Sequence, residues 1–277
     1  MNIKSRNLNL EQIAESGQCF RMNKINSNGY SVIAFGEYVE LFQTDSNTIT
    51  LEHASGKDFA LWERYFDLEY DYSDVVAKLV QGEDDFLKRA AAFGAGLRIL
   101  RQDAFEILIS FIISQNKNIP AIKSTIEKLC RRYGEEKPLP KGSNDSGSTY
   151  FTFPCPERLA SAGMEALKDL GLGYRDEYVH EAAKAVAEGK LDLEQLKEVD
   201  TESLLKCLMS LKGVGKKVAS CVALFGYHKM NIAPIDVWIS RIEKDVYKGK
   251  FDWNKYDGIA GLVQQYMFYY IRNCGKL

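Results

Sequence analysis

The hydrophobic rhythm of the chain changes once. From residue 20 to about residue 52 it runs in short β-rich segments, 30–35, 38–42 and 48–51, separated by the turns Asn28-Gly29, Gly36-Glu37 and Asp45-Ser46-Asn47. That reads as an antiparallel sheet. From Lys57 onward the period is helical, beginning with Phe59, Leu61, Trp62, Tyr65 and Phe66, and no later stretch alternates as a strand. Asp103 followed by Glu106 has capping-box spacing and opens a helix through Leu108, Ile109, Phe111, Ile112 and Ile113, apolar nearly all round and so expected at the centre of a core. Asn118 is placed to cap the next helix, with Pro120 in its first turn, Ile122, Ile126, Leu129 and Cys130 as its stripe and Gly134 as its stop. The segment 135–149, containing KPLPKGSNDSGS, predicts an exposed loop. Further helices are expected over 156–170, 176–188, 202–211, 216–227, 237–247 and 256–273. The chain thus reads as mainly α with an N-terminal α+β domain over 1–95 and a helical core over 96–277.

A length of 277 residues with 45% apolar content supports about two soluble domains and excludes disordered and collagen-like chains. Thirty-six Lys plus Arg against 38 Asp plus Glu give a net charge of −2, so any nucleic-acid site must be a local patch. The start, MNIKSRNLNLEQIAE, has no apolar central region, so a signal peptide is not expected and a cytoplasmic location is. The uncharged stretch 258–271 is short of the ~20 residues of a bilayer span, so no membrane role is expected. Six cysteines without a CxxC pair, and only three histidines, predict neither a zinc nor an iron–sulfur site, and reduced thiols. No phosphate-loop or other cofactor motif is present.

Within LLKCLMSLKGVGKKVASCVALFGY two apolar-periodic helices meet at Gly213-Val214-Gly215, a turn short enough to fold them back as a hairpin over about 203–227. Amide N–H groups at the start of its second helix form a ready phosphate seat. Between Ser203 and Ile235 lie five lysines, Lys206, Lys212, Lys216, Lys217 and Lys229, and no acidic residue. The ordinary alternative is a helix turn with solvated lysines. Lys217 shares a face with Cys221, Leu224 and Phe225, whereas Lys216 faces with Ser220, Ala223 and Tyr227. Lys217 is therefore expected to be the more desolvated of the two and is the candidate amine nucleophile. In the run PIDVW, Asp236 is placed to cap the next helix, and a capping carboxylate can still face a cleft and assist there.

The hairpin LKGVGKK, a helix and then Pro-x-Asp resemble the lysine-bearing branch of the helix-hairpin-helix DNA glycosylase superfamily. RILRQDAFEILISFIISQNKNI, GLGYRDEYV, SGQCFR and AGLVQQYMF resemble the 8-oxoguanine DNA glycosylase family in particular, in the family's order and across essentially the whole chain. The resemblance implies an antiparallel sheet domain packed on a two-lobed helical core, with DNA crossing the cleft between the lobes. It implies a bifunctional glycosylase and β-lyase in which Lys217 attacks the sugar of an extruded nucleotide and forms a Schiff base, assisted by Asp236. By motif, the Gly17 carbonyl would accept a hydrogen from N7 of the lesion, Cys221 and Phe268 would sandwich the base, and Gln264 would bind its pairing edge. Asn116 would fill the gap left in the duplex, Tyr174 would wedge it, Arg175 would contact the opposite base, and Gly213, Val214, Gly215 and Trp238 would lie on the DNA. Each also has an ordinary reading: Gly17 a turn, Cys221 and Phe268 core, Gln264 a satisfied polar group, Tyr174 a loop residue. Lys117, Lys123, Lys128, Arg131 and Arg132 would extend the phosphate surface or form a solvated helix face.

Three positions depart from the family's pattern. Ala121 stands where an arginine reads the opposite cytosine, implying a relaxed opposite-base preference, while Lys117 replaces an asparagine and Trp238 a histidine. The partner implied is double-stranded DNA containing 8-oxoguanine, acted on by a monomer with no metal and no cofactor. The rivals are a monofunctional alkyl-base glycosylase, against which Lys217 speaks, and a non-catalytic DNA-binding module.

Overall fold

The computed structural model describes residues 2–45, 47–56 and 59–275; Ser46 and Lys57, named in the expected turn and at the expected onset of helix, lie outside it. Five antiparallel strands, β1 (Asn2–Lys4), β2 (Met22–Lys24), β3 (Gly29–Ala34), β4 (Glu37–Asp45) and β5 (Thr48–Glu52), form one sheet in the order β1-β5-β4-β3-β2. The three expected strands correspond to β3, β4 and β5. Phe35 sits in the two-residue turn between β3 and β4, where it and Gly36 take φ of +53° and +76°, the primed-turn geometry that matches strand twist. The short edge strands β1 and β2 and the intervening helix α1 (Leu10–Glu15) were not evident in the pattern. Strands of three residues carry too little alternation to register.

The helices that follow are α2 (Phe59–Tyr65), α3 (Tyr72–Gln81), α4 (Asp85–Phe93), α5 (Ala104–Ser114) and α6 (Ile119–Tyr133). After a hairpin of β6 (Glu136–Pro138) and β7 (Thr149–Phe151) come α7 (Pro156–Ser161), α8 (Gly163–Lys168), α9 (Arg175–Ala187), α10 (Thr201–Met209), α11 (Lys216–Tyr227), α12 (Val237–Asp245) and α13 (Ala260–Cys274). Caps set the starts as expected, Asp103 Oδ1 accepting from Glu106 N at 2.8 Å and Asn118 Oδ1 from Ala121 N at 2.9 Å. In α5, α11 and α13 residues 107–113, 218–225 and 260–267 are all buried, and these helices form the centre of the helical cluster. The buried sides of α3 and α4 join that cluster, while the sheet, α1 and α2 form a second one.

Three expectations need correction. The 135–149 loop contains the β6–β7 hairpin and is tied to the sheet: the Asn144 amide and side-chain N–H groups each donate to Glu40 at 2.7 Å, and Ser143 Oγ donates to it at 2.5 Å. Glu40 is fully buried on β4, and these bonds hold its carboxylate below its usual range although burial alone pushes it up. The predicted helix 156–170 is broken at Ala162, and that predicted from 256 begins at Ala260 after a short 3-10 turn.

A buried polar cluster joins the two units. Asp67, 3% exposed, accepts from Tyr72 Oη and Arg101 Nε at 2.7 Å each, and its Oδ2 faces His228 Nε2 at 3.3 Å. Burial pushes the Asp67 carboxyl up, but the bonds from His228, Tyr72 and Arg101 prevail and hold it at about 2. Because its folded value lies below the ordinary ~3.9, the stabilisation is complete above about pH 4 and is lost as pH falls toward 2. Asp67→Asn is expected to cost about 3 kcal/mol in urea unfolding at pH 7, with the gap to the unsubstituted protein narrowing below pH 4; equal stability at pH 7 would contradict this.

Candidate active site

The α10–α11 hairpin turns where Leu211 to Gly215 must reverse the chain in very few residues. Gly213 takes φ of +80°, and a Cβ there would lie 2.2 Å from the Tyr178 ring on α9, so glycine is required for both conformation and space. Val214 is buried, and the Gly213 carbonyl accepts from Gln115 Nε2 at 3.1 Å, fixing the hairpin to the end of α5. Gly215 caps α11 without a side-chain bond, which leaves the first-turn amides free to meet an anion.

Lys217 stands in the first turn at this end. It is exposed, as Lys216 is, so the expected desolvation is not observed: the first turn of α11 opens onto a cleft, and only from Val218 onward is the helix enclosed. Its Nζ lies 5.2 Å from the Phe111 ring centroid, and that ring stacks on Phe225 at 5.5 Å. One narrow pocket of about 40 Å³ is lined by Gly17, Lys217, Cys221, Asp236, Gln264 and Phe268, with Phe111 and Gln265 beside them. These residues come from a loop after α1 and from α11, α12 and α13. The pocket opens on a larger cleft of about 980 Å³ bounded by Asn116, Lys117, Gly215, Trp238 and Arg272.

Each wall has a local cause. Gly17 adopts φ of +74°, and a Cβ on it would press on Ile119 and Phe268 at 3.3 Å. The next residue, buried Gln18, holds this loop against the chain before α5, donating to the Arg98 carbonyl at 2.7 Å and accepting from Leu100 N at 2.8 Å. Asp236 caps α12 through Oδ1 alone, which accepts from Trp238 N at 3.0 Å and Ile239 N at 2.9 Å, leaving Oδ2 for the pocket. Burial pushes the Cys221 thiol up, so this wall is a neutral, polarizable surface.

Asn116 and Tyr174 are brought together at the cleft mouth, Asn116 Nδ2 donating to Tyr174 Oη at 2.9 Å. Asn116 takes φ of +51° at the end of α5, and the Tyr174 side is 50% exposed. Arg175 departs from its expected place: it is buried, its Nη1 donating to the Leu172 carbonyl at 3.0 Å and its Nη2 to the Gln115 carbonyl. Its guanidinium holds the loop together under the Tyr174 ring rather than facing the cleft. Among the other basic residues, Lys117 donates to the Gly171 carbonyl at 2.9 Å, Lys123 to the Met22 carbonyl at 2.9 Å, and Lys212 to Glu177 at 2.5 Å. Arg131 and Arg132 pair with Glu127 and Asp169. Of the hairpin lysines, Lys206 and Lys212 pair with Glu202 and Glu177, Lys216 and Lys217 have no carboxylate partner among the described residues, and Lys217 is the one that lines the cleft. Four residues of the site were not singled out in the sequence: Phe111, Gln115, Tyr178 and Gln265. The last had a signal, since a second glutamine inside an otherwise apolar helix needs a partner.

Residues 1–108 match the family model described as 8-oxoguanine DNA glycosylase, N-terminal domain, and residues 109–257 that of the HhH-GPD superfamily base excision DNA repair protein. A probable N-glycosylase/DNA lyase of Methanothermobacter thermautotrophicus is 31% identical over 244 residues, 78% of this chain and 75% of the relative. The 8-oxoguanine glycosylase/lyase of Clostridium acetobutylicum, solved in complex with double-stranded DNA containing cytosine opposite 8-oxoguanine, is similar with a TM-score of 0.88 at 32% identity, covering 98% of this chain and 94% of that one. A 3-methyladenine DNA glycosylase from Archaeoglobus fulgidus, at 20% identity and a TM-score of 0.77 over the whole of both chains, shares the fold alone.

The hairpin geometry separates its two glycines. Gly213→Ala is expected to lower stability by ~2 kcal/mol or more in denaturant unfolding and to displace the turn, whereas Gly215→Ala, with negative φ and open space, should cost well under ~1 kcal/mol. Equal effects would contradict the close approach to Tyr178.

Proposed function

We propose that this chain, which belongs to the HhH-GPD superfamily of base excision DNA repair proteins and carries the 8-oxoguanine DNA glycosylase N-terminal domain, excises 8-oxoguanine from duplex DNA through Lys217. It is a DNA glycosylase and lyase. The observation that carries the reading is convergence: Gly17, Lys217, Cys221, Asp236, Gln264 and Phe268, from four separate segments, line one pocket.

The chemistry follows from that arrangement. The Lys217 amine, in its neutral form, attacks C1′ of the extruded nucleotide; the C1′–N bond forms as the glycosidic bond breaks, and the base leaves with the electron pair and takes up a proton. The resulting amine rearranges to a Schiff base as the sugar ring opens. Loss of a C2′ proton then expels the 3′ phosphate and nicks the strand. Asp236, held at a helix N-terminus with one oxygen free, stabilises positive charge developing on the sugar. The base lies between Cys221 and Phe268 with Gln264 at its pairing edge. Normal guanine has only a lone pair at N7, whereas 8-oxoguanine has a hydrogen there, so the Gly17 carbonyl attracts one and repels the other. An unpaired carbonyl costs about 1 to 3 kcal/mol, a discrimination of roughly tenfold to a hundredfold. Uncapped amides at the start of α11, with Gly213, Val214, Gly215 and Lys216, seat a phosphate, Trp238 borders the strand, and Asn116 and Tyr174 fill the vacated step.

The opposite-base preference is relaxed. Ala121 offers no hydrogen-bonding side chain, and the Arg175 guanidinium is engaged on two carbonyls within the protein.

A duplex with one 8-oxoguanine is expected to be cut opposite each of the four bases at rates within about tenfold of one another. Lys217→Gln should lose at least ~10³ of the rate, and Asp236→Asn about 10² to 10⁴. Cutting by Lys217→Gln at the unsubstituted rate would overturn the nucleophile, and cutting opposite cytosine alone would overturn the relaxed preference. Binding should also weaken steeply with salt; a salt-insensitive affinity would contradict the phosphate seat.

A further inference from the structure

One polar group in the pocket has no part in the chemistry above. Gln265 follows Gln264 in α13, is 4% exposed, lines the pocket, and its Oε1 has no hydrogen-bond partner among the described residues. Its Nε2 donates to Gln264 Oε1 at 3.0 Å. Adjacent residues on a helix point about 100° apart, so this amide–amide bond is what turns the two heads into one unit.

Two primary amides joined in this way have a fixed remainder. The bond consumes one N–H and one carbonyl lone-pair direction at the joint, and what is left for a ligand is the NH₂ of one residue and the C=O of the other. Exchanging both amide orientations would reverse which residue donates, so the orientation found here, with the Gln264 NH₂ as donor and the Gln265 C=O as acceptor, is the one that matches a 6-oxopurine. A buried carbonyl without a partner is costly, and a ligand that donates to it removes that cost.

We propose that Gln264 and Gln265 together read the pairing edge of the extruded base, the Gln264 N–H donating to a 6-carbonyl and the Gln265 carbonyl accepting from the neighbouring N1–H. A 6-oxopurine presents that acceptor and donor side by side. A 6-aminopurine presents the reverse, so donor would face donor and acceptor would face acceptor. Gln265 is thus a specificity-determining residue for purine type, separate from the Gly17 carbonyl, which tests oxidation at C8 through N7–H and treats 8-oxoguanine and 8-oxoadenine alike. This rests on the excision of an extruded 8-oxopurine argued above.

The test uses the full chain and duplexes carrying 8-oxoguanine, 8-oxohypoxanthine or 8-oxoadenine opposite the same base, with cleavage at a preformed abasic site as the reference. The unsubstituted protein should excise 8-oxoguanine and 8-oxohypoxanthine at rates within about tenfold, since both keep the 6-carbonyl and N1–H, and 8-oxoadenine at least about a hundredfold more slowly. Gln265→Leu should lower the ratio of 8-oxoguanine excision to abasic-site cleavage by about tenfold or more and shrink the discrimination against 8-oxoadenine. Equal excision of 8-oxoguanine and 8-oxoadenine, or a Gln265→Leu protein in which excision and abasic-site cleavage fall together, would overturn the paired reading while leaving the excision activity intact. A protein inert on both 8-oxoguanine and abasic DNA would overturn the activity itself, and this inference with it.

Discussion

The enclosure of α11 is the constraint on which the site depends. From Val218 to Phe225 this helix is buried on every side, so its backbone cannot tilt or slide without repacking α5 and the rest of the core. Chemistry is confined to its ends. At the first turn Lys217 emerges into the cleft, and at the last His228, in the left-handed conformation, meets Asp67 from the other unit. Gly213 against the Tyr178 ring fixes the incoming chain, and the Asp67 cluster fixes the outgoing one. A side chain on a helix held at both ends has its position set by the core rather than by a flexible loop.

The same enclosure explains the mixed character of the pocket. Its walls are apolar or neutral, with the stacked Phe111 and Phe225 rings beside Lys217 and with Cys221 and Phe268 in the lining, which suits a flat base better than water. Polar groups enter at few points, and each is held by a bond made elsewhere. Gln18 ties down the Gly17 loop, the first turn of α12 holds Asp236, and Gln265 orients Gln264. A pocket of about 40 Å³ has room for little more than water, so admitting a base requires its walls to part, and half-buried Phe268 stands where the pocket meets the 980 Å³ cleft.

Much of this was legible in the sequence because it rests on local signals. Helix caps at Asp103, Asn118 and Asp236, the glycine turn, and the lysine and aspartate in fixed order are contiguous features. What was hidden depends on distant partners. Glu40 alternates into the sheet like any strand residue, and only Ser143 and Asn144, about a hundred positions later, make its burial tolerable. Arg175 reads as a surface cation until the Leu172 and Gln115 carbonyls are seen to take up its donors. Lys217 was placed on the correct face but expected to be more enclosed, because helical periodicity gives direction and says nothing of how near a position lies to the open end. The pairing of Gln264 with Gln265 was hidden for the same reason, since neighbours one residue apart do not share a face.

The central claim is that the enclosed helix presents Lys217, and not its neighbour, to the sugar. Borohydride reduction during reaction with an 8-oxoguanine duplex, followed by peptide mapping of the trapped protein–DNA species by mass spectrometry, tests it directly. The account predicts one covalent adduct, carried by Lys217 and formed with the lesion duplex but not with undamaged DNA. An adduct on Lys216, or none under conditions where the strand is cut, would contradict it.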